Sequence, residues 1–288
     1  MFTEIAALPA GFHVFLAAVL GLMIGSFLNV VIYRYPKRLK HQWTVQSKQW
    51  LEIEEKVTEQ PPGIISPSSH CGNCKSPVKA WQNIPVISFV ILRGKCANCK
   101  TSIGLRYPLV EILTGILSAF VVYKFGWSLQ SLFGLILTWT LVTLSFIDFD
   151  HQLLPDDFVL PILWLGLAIS ALPIFAIPID SIIGAIAGYL ALWIVFQLFK
   201  LLTGKEGMGY GDFKLLALLG AWFGWQMLPQ IILISTVVGS VIGILLIATK
   251  KTNAENTIPF GPYISIAGWI AMIWGDAINQ TYFSSMSF

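Results

Sequence analysis

The sequence predicts an all-α polytopic membrane protein with about eight transmembrane helices and a small polar module between the first and the second. Three observations lead there. Of 288 residues, 56% are hydrophobic and only 11% charged, with a mean hydropathy of +0.73; a soluble domain carries about a quarter charged residues. Apolar runs recur at 12–33, 108–123, 129–147, 158–175, 181–199, 213–227, 228–249 and 258–278, most of them near the roughly 20 residues that one bilayer crossing needs. The only long polar stretch, 34–107, holds twelve Lys/Arg against four Glu (Glu52, Glu54, Glu55 and Glu59). Eleven Trp and eight Tyr suit two interfacial belts. The lipid bilayer is thus the first partner, and nothing in the chain calls for nucleic acid.

The runs can be justified in order. The first is not a signal peptide, because Met1 to Gly11 has no basic residue and Arg34, Lys37, Arg38 and Lys40 follow the run. Within it, Gly25-Ser26-Phe27-Leu28-Asn29 offers small residues for helix packing. The sixth run is short, and Gly224 to Pro229 is a weak break before the seventh. Basic residues set the orientation. With 34–107 inside, Arg34 through Arg106, Lys200, Lys205, Lys214, Lys250 and Lys251 all lie inside; 17 of the 18 Lys/Arg are sorted, and only Lys124 is outside. Both termini then face out. Three regions follow: the first transmembrane helix at 1–33, the cytosolic module at 34–107 and a seven-helix membrane domain at 108–288.

Inside the module, Cys71-Gly72-Asn73-Cys74 and Cys96-Ala97-Asn98-Cys99 are two Cys-x-x-Cys pairs with 21 residues between them. Two such knuckles can close a tetrahedral thiolate site around zinc. Two disulfides are the alternative, disfavoured in the reducing compartment that the charge pattern assigns to this loop. Four thiolates leave no open position for water, so the zinc would be structural. His70, beside Cys71, reads as a solvated loop histidine.

Two acidic stretches carry the remaining chemistry. One is Asp148-Phe149-Asp150-His151-Gln152-Leu153-Leu154-Pro155-Asp156-Asp157; the other is Gly209-Tyr210-Gly211-Asp212-Phe213-Lys214. A carboxylate at a membrane edge is costly without partners or a task. Asp212 could cap a helix starting near Phe213. Paired with Asp148, it could instead serve aspartic hydrolysis. There, two carboxyl groups share one proton, one deprotonating a water while the other serves the scissile carbonyl. Asp148 and Asp212 fall at the inner ends of separate runs, at about one depth. Asp150 lies half a helical turn round from Asp148 and cannot point at the same site. Asp156 and Asp157, ahead of the next run, are expected as helix caps; Asp276 and Glu111 are expected as structural hydrogen-bond partners. A transporter or proton channel would also use buried carboxylates, but more naturally at mid-membrane, and it leaves the cysteine pairs unexplained. A non-enzymatic assembly scaffold leaves the Gly-Tyr-Gly-Asp element idle.

With these residues in place, the chain resembles the type IV prepilin peptidases, the bifunctional leader peptidase/N-methyltransferases of Gram-negative bacteria. The resemblance covers the whole length. It rests on Gly25 to Asn29, the cysteine pairs, Arg106-Tyr107-Pro108-Leu109-Val110-Glu111, Ile147-Asp148 through Asp156, Gly207 through Lys214, and Pro259-Phe260-Gly261-Pro262-Tyr263. The Gly-x-Gly-Asp element is similar to that of the wider intramembrane aspartic proteases. The resemblance implies that Asp148 and Asp212 are catalytic and that Cys71, Cys74, Cys96 and Cys99 hold the metal. It implies substrates, prepilins and pseudopilins, whose short basic leaders end in glycine and stay in the cytosol. It also implies N-methylation of the new amino terminus from S-adenosylmethionine, located in the cytosolic module. The expected setting is the bacterial inner membrane, in service of type IV pili, type II secretion or both.

Overall fold

The computed structural model describes residues 9–53, 60–249 and 258–286. Glu54, Glu55, Lys56, Glu59, Lys250 and Lys251, which enter the charge pattern above, lie outside the described residues. The described residues are helical, without strands; two isolated bridges, His70 with Pro77 and Lys95 with Ser102, are the only β pairing among them. They fall into two compact units, one ending at Trp127 and one beginning at Ser128.

The first unit is built on α1 (Ala10–Trp50) and α3 (Arg106–Phe125), with the short helix α2 (Ile87–Ile91) between them. The polar stretch that begins at 34 opens as helix: α1 runs on through Pro36 to Trp50. Beyond Pro36 the sequence gives it no reason to stop. Residues 37–50 hold no glycine or proline and are rich in Lys, Arg, Leu and Gln, which are good helix formers. The small-residue expectation for 25–29 is met. A Cβ on Gly25 would come within 2.8 Å of the Glu111 Cα, and one on Gly21 within 2.7 Å of the Thr114 carbonyl oxygen. Such positions let helix backbones approach closely. Asn29 Nδ2 then donates to the Tyr107 carbonyl at 3.0 Å. Further along α1, buried Arg34 donates through Nη1 to the carbonyls of Gly63 (2.8 Å) and Pro67 (2.7 Å), which ties the module to the helix. Glu111 accepts the Val86 N–H at 2.8 Å, the structural role expected of it.

The second unit contains α4 (Leu129–His151), α5 (Asp156–Ile169), α6 (Pro178–Thr203), α7 (Tyr210–Phe223), α8 (Leu228–Ala248) and α9 (Gly261–Met286). Its centre is α7. Phe213, Leu215, Leu216, Leu218, Leu219 and Trp222 are essentially inaccessible, as expected of a helix that is apolar on every side. It packs against α5, α6 and α9. Gly184 on α6 and Gly220 on α7 face one another so closely that a Cβ on either would strike the carbonyl of the other. Ser181 donates to the Ala221 carbonyl beside them, and Trp222 Nε1 donates to the Ile162 carbonyl at 2.8 Å.

Eight helices correspond to the eight apolar runs, but two of the run boundaries are corrected. The sixth, expected at 213–227, ends at Phe223 because Gly224 turns the chain at φ +79° into a 3-10 turn, Trp225–Met227. The fourth, expected at 158–175, ends at Ile169. Among the described residues, five helices (α1, α3, α4, α6 and α8 with its leading turn) are long and apolar enough to cross a membrane. The 14-residue α5 and α7 reach only about 21 Å at 1.5 Å per residue. Packing within the unit supplies the burial that length does not.

The glycine contact between α6 and α7 gives a direct test. Gly220→Val inserts three carbons where a carbonyl already sits, and overpacking of this kind costs about 1–3 kcal/mol. The variant should unfold at a lower temperature in detergent, whereas Gly11→Ala, with nothing within 4 Å of the new carbon, should match the parent.

Candidate active site and metal centre

The acidic site is made where the end of α4 meets the starts of α7 and α9. Asp148 lies in the last turn of α4 and is 5% exposed, while Asp150, two residues on, is exposed. Gln152 closes α4 in the left-handed conformation at φ +53°, its N–H returning to the Asp148 carbonyl at 2.8 Å. That turn swings Leu154 back over the site and starts α5 at once. Asp148 Oδ2 accepts the backbone N–H of Gly261, the first residue of α9, at 3.0 Å. Asp212, third residue of α7, is 7% exposed.

Glycines are required on both sides because of Leu154. A Cβ on Gly211 would lie 2.7 Å from the Leu154 Cβ. One on Gly261 would lie 2.7 Å from Asp148 Oδ2 and 3.2 Å from Leu154 Cδ1. One leucine thus touches the glycine before Asp212 and the glycine bound to Asp148.

The structure removes capping as the alternative for Asp212 and corrects the expectation for Asp156 and Asp157. The cap position of α7 is Gly209, with the helix starting at Tyr210, so Asp212 sits inside the first turn and is not the cap. The cap position of α5 is Pro155, so Asp156 and Asp157 are first-turn residues. Asp156 has a partner that sequence reasoning missed. Lys214 Nζ donates to both of its carboxylate oxygens, at 2.7 and 2.8 Å. The pair joins the first turns of α5 and α7 two residues beyond Asp212. Exposed ion pairs contribute only about 0–1 kcal/mol, so its value is positional. No spacing rule links residues on two different helices; the pair becomes visible only once the α4–α5 turn is known.

In the first unit the four cysteines come together. All four are free thiols, and their sulfurs all lie within 4.8 Å of one another. The Cys71 and Cys99 sulfurs are 3.7 Å apart, well beyond the ~2.05 Å of a disulfide bond. Both knuckles fold alike. Cys71 N–H donates to the Ser76 carbonyl (2.9 Å) and Lys75 N–H to the Cys71 carbonyl (3.0 Å); Cys96 and Thr101 (2.9 Å) and Lys100 and Cys96 (3.1 Å) repeat the pattern. Lys75 and Lys100 both sit at φ +59°. The sequence signal for this was a six-residue repeat, Cys-x-Asn-Cys-Lys-Ser/Thr, at 71–76 and 96–101.

The repeat also explains residues that sequence reasoning passed over. Asn73 Nδ2 reaches across to the Cys99 sulfur at 3.8 Å and to Thr101 Oγ1 at 2.9 Å, while Asn98 Nδ2 reaches back to the Cys74 sulfur at 3.7 Å. Hydrogen bonding with the Thr101 hydroxyl holds the Cys99 thiol down to about 5, and the Ser76 hydroxyl lowers Cys74. Four convergent free sulfurs, two of them with an amide donor aimed at them, are a donor set that fits zinc. His70 stands outside the cluster, exposed, its Nδ1 3.4 Å from the Ser68 carbonyl.

Comparison with known proteins bears on both sites. Residues 19–125 match the bacterial peptidase A24 N-terminal domain, and 135–244 match the type IV leader peptidase family. The chain is 52% identical over 278 residues to a prepilin leader peptidase/N-methyltransferase of Stutzerimonas stutzeri, covering 96% of each chain. It is 49% identical over 284 residues to the protein of that name from Pseudomonas aeruginosa, covering 99% of this chain and 98% of the relative. It is 47% identical over 269 residues to that of Neisseria gonorrhoeae, covering 93% and 92%. No solved structure matches the chain.

The cross-knuckle contacts make a prediction. Partners of metal ligands commonly tune affinity by about 10–100-fold. Asn73→Ala together with Asn98→Ala should leave a protein that still binds zinc but loses it at lower chelator concentration, read by a colorimetric zinc indicator. Cys71→Ser or Cys96→Ser should fail to retain metal at all.

Proposed function

Because the chain belongs to the prepilin leader peptidase/N-methyltransferase family, we propose that it is a membrane aspartic endopeptidase. It cleaves the leader from type IV prepilins and pseudopilins, then N-methylates the new amino terminus. The observation that supports this most is the convergence of Asp148 and Asp212, both buried, at the helix ends around Leu154. One carboxylate takes a proton from water as the hydroxide attacks the scissile carbonyl carbon. The other, protonated, donates to the carbonyl oxygen. Collapse of the tetrahedral diol passes a proton to the amide nitrogen, breaks the C–N bond and leaves a glycine carboxylate and a free amine. Gly261 fixes the orientation of Asp148 by donating to Oδ2, and Lys214 with Asp156 fixes the start of α7 below Asp212. A glycine at the cut suits a site already crowded by Leu154, since it lets the substrate backbone approach without a side chain.

Zinc, held by Cys71, Cys74, Cys96 and Cys99, would supply a fixed tetrahedral crosslink between the two knuckles of the cytosolic module 34–107. The membrane region 108–288 would carry the peptidase. S-adenosylmethionine, when bound, supplies an electrophilic methyl group. The positive-inside pattern supports placing both aspartates and the module on the cytosolic side of the bacterial inner membrane, with both termini outside.

Purified protein, a prepilin and methyl-labelled donor, read by mass spectrometry, test this directly. Asp148→Asn and Asp212→Asn should each lower cleavage by at least about 10²-fold, since Asn keeps the shape but cannot carry the proton; Asp150→Asn should cost far less. An active Asp148→Asn protein would refute the assignment. Both inactive variants should still methylate a pre-cleaved pilin; failure there, in folded protein, would place the two activities at one site.

A further inference from the structure

The segment 84–92 of the module, Ile84-Pro85-Val86-Ile87-Ser88-Phe89-Val90-Ile91-Leu92, is inside out for a water-soluble fold. In α2 the polar Ser88 is turned inward at 9% exposure, while Ile87, Val90 and Ile91 are 58%, 66% and 65% exposed. These three share one face at i, i+3 and i+4, with exposed Ile84 a turn ahead. Phe89 takes the other direction, its ring packed where a Cβ on Gly94 would stand.

Where this face lies is fixed by a hydrogen bond. The Val86 N–H is held at 2.8 Å by the buried Glu111 carboxylate. Glu111 is in α3, a helix of membrane-crossing length, about 7 Å along the axis from its start at Arg106. Val86 therefore sits beside a spanning helix, at the level of its first turns. Val86 also has φ +59°, an outlier for a β-branched residue, which persists only where the surroundings enforce it. The flanks agree: Lys79 and the exposed Trp81 precede the segment, and Arg93 and Lys95 follow it. Aromatic and basic residues bracketing an apolar face are the pattern of helices lying in a bilayer interface, and the cations suit anionic headgroups.

We infer that residues 84–92 are an interfacial anchor: the face of Ile84, Ile87, Val90 and Ile91 inserts among the lipids of an anionic bilayer beside α3 and holds the second cysteine knuckle against the membrane surface. The occupant is lipid, not a second protein. Unsubstituted protein in nanodiscs of phosphatidylethanolamine and phosphatidylglycerol tests this, with a photoactivatable group on the acyl chain and adducts mapped by mass spectrometry. Peptide 84–92 should be labelled at a level comparable to the spans and several-fold above 71–79. In an Ile87→Glu, Ile91→Glu protein, its labelling should fall several-fold while that of α4 stays unchanged. Labelling of 84–92 no higher than 71–79 would overturn the inference. So would crosslinks joining two copies of the chain through this segment.

Discussion

The second unit depends on one constraint: two carboxyl groups must be buried at the ends of membrane helices and still face a common space. Burying such groups is costly without compensating partners. The structure meets that cost with backbone, not with opposing charge. Gly261 offers its N–H to Asp148, and Asp212 sits in the first turn of α7, where unpaired amides and the helix dipole favour a negative group. Both arrangements need helix starts to come within touching distance of Leu154, and that requires glycine at 211 and 261. The ion pair of Lys214 and Asp156 stays at the periphery. Lys214 is thus engaged by Asp156, on the start of a neighbouring helix.

Close approach at glycine is also how the short central helix is held. α7 is too short to span a bilayer alone and too apolar to face water, so it must be enclosed. Gly184 against Gly220, and Gly188 against the Leu216 carbonyl, bring α6 onto it along its length. The Trp222 indole reaches the Ile162 carbonyl in α5, a bond that places the largest side chain of α7 where its N–H has a partner. The aspartate on this helix inherits its rigidity.

Much of this was legible in the sequence. Hydropathy located eight helices, the small residues from Gly25 marked a helix-packing face, and spacing singled out the cysteine pairs. Boundaries were less legible, for physical reasons. The end of a bilayer run is a change of solvent, not of helix propensity, so α1 carries on to Trp50. Conversely, α7 stops at Gly224, at the start of what reads as only a weak break, because a backbone at positive φ ends the helix there. The capping error at Asp156 and Asp157 has the same origin. Acidic residues near a helix start are favoured both at the cap and in the first turn, and only the backbone separates the two. The Lys214–Asp156 pair depends on a left-handed turn at Gln152, a conformation that Gln adopts less readily than Gly or Asn and that sequence would not suggest.

The duplicated knuckle shows which part of a sequence motif is dictated by backbone and which by charge. Lys75 and Lys100 occupy the same left-handed corner, where glycine would avoid a penalty of roughly 1–2 kcal/mol. Both copies nevertheless have lysine. Zinc held by four thiolates would leave a net charge of −2, and Lys79, Arg93 and Lys95 add cations to the same stretch of chain. Lys100 Nζ donates to the Ala97 carbonyl of its own knuckle at 3.3 Å. The asparagines complete the arrangement by giving each knuckle a donor for a sulfur of the other. Neither knuckle closes its own sulfur environment, so each half of the repeat is incomplete until the second has folded against it.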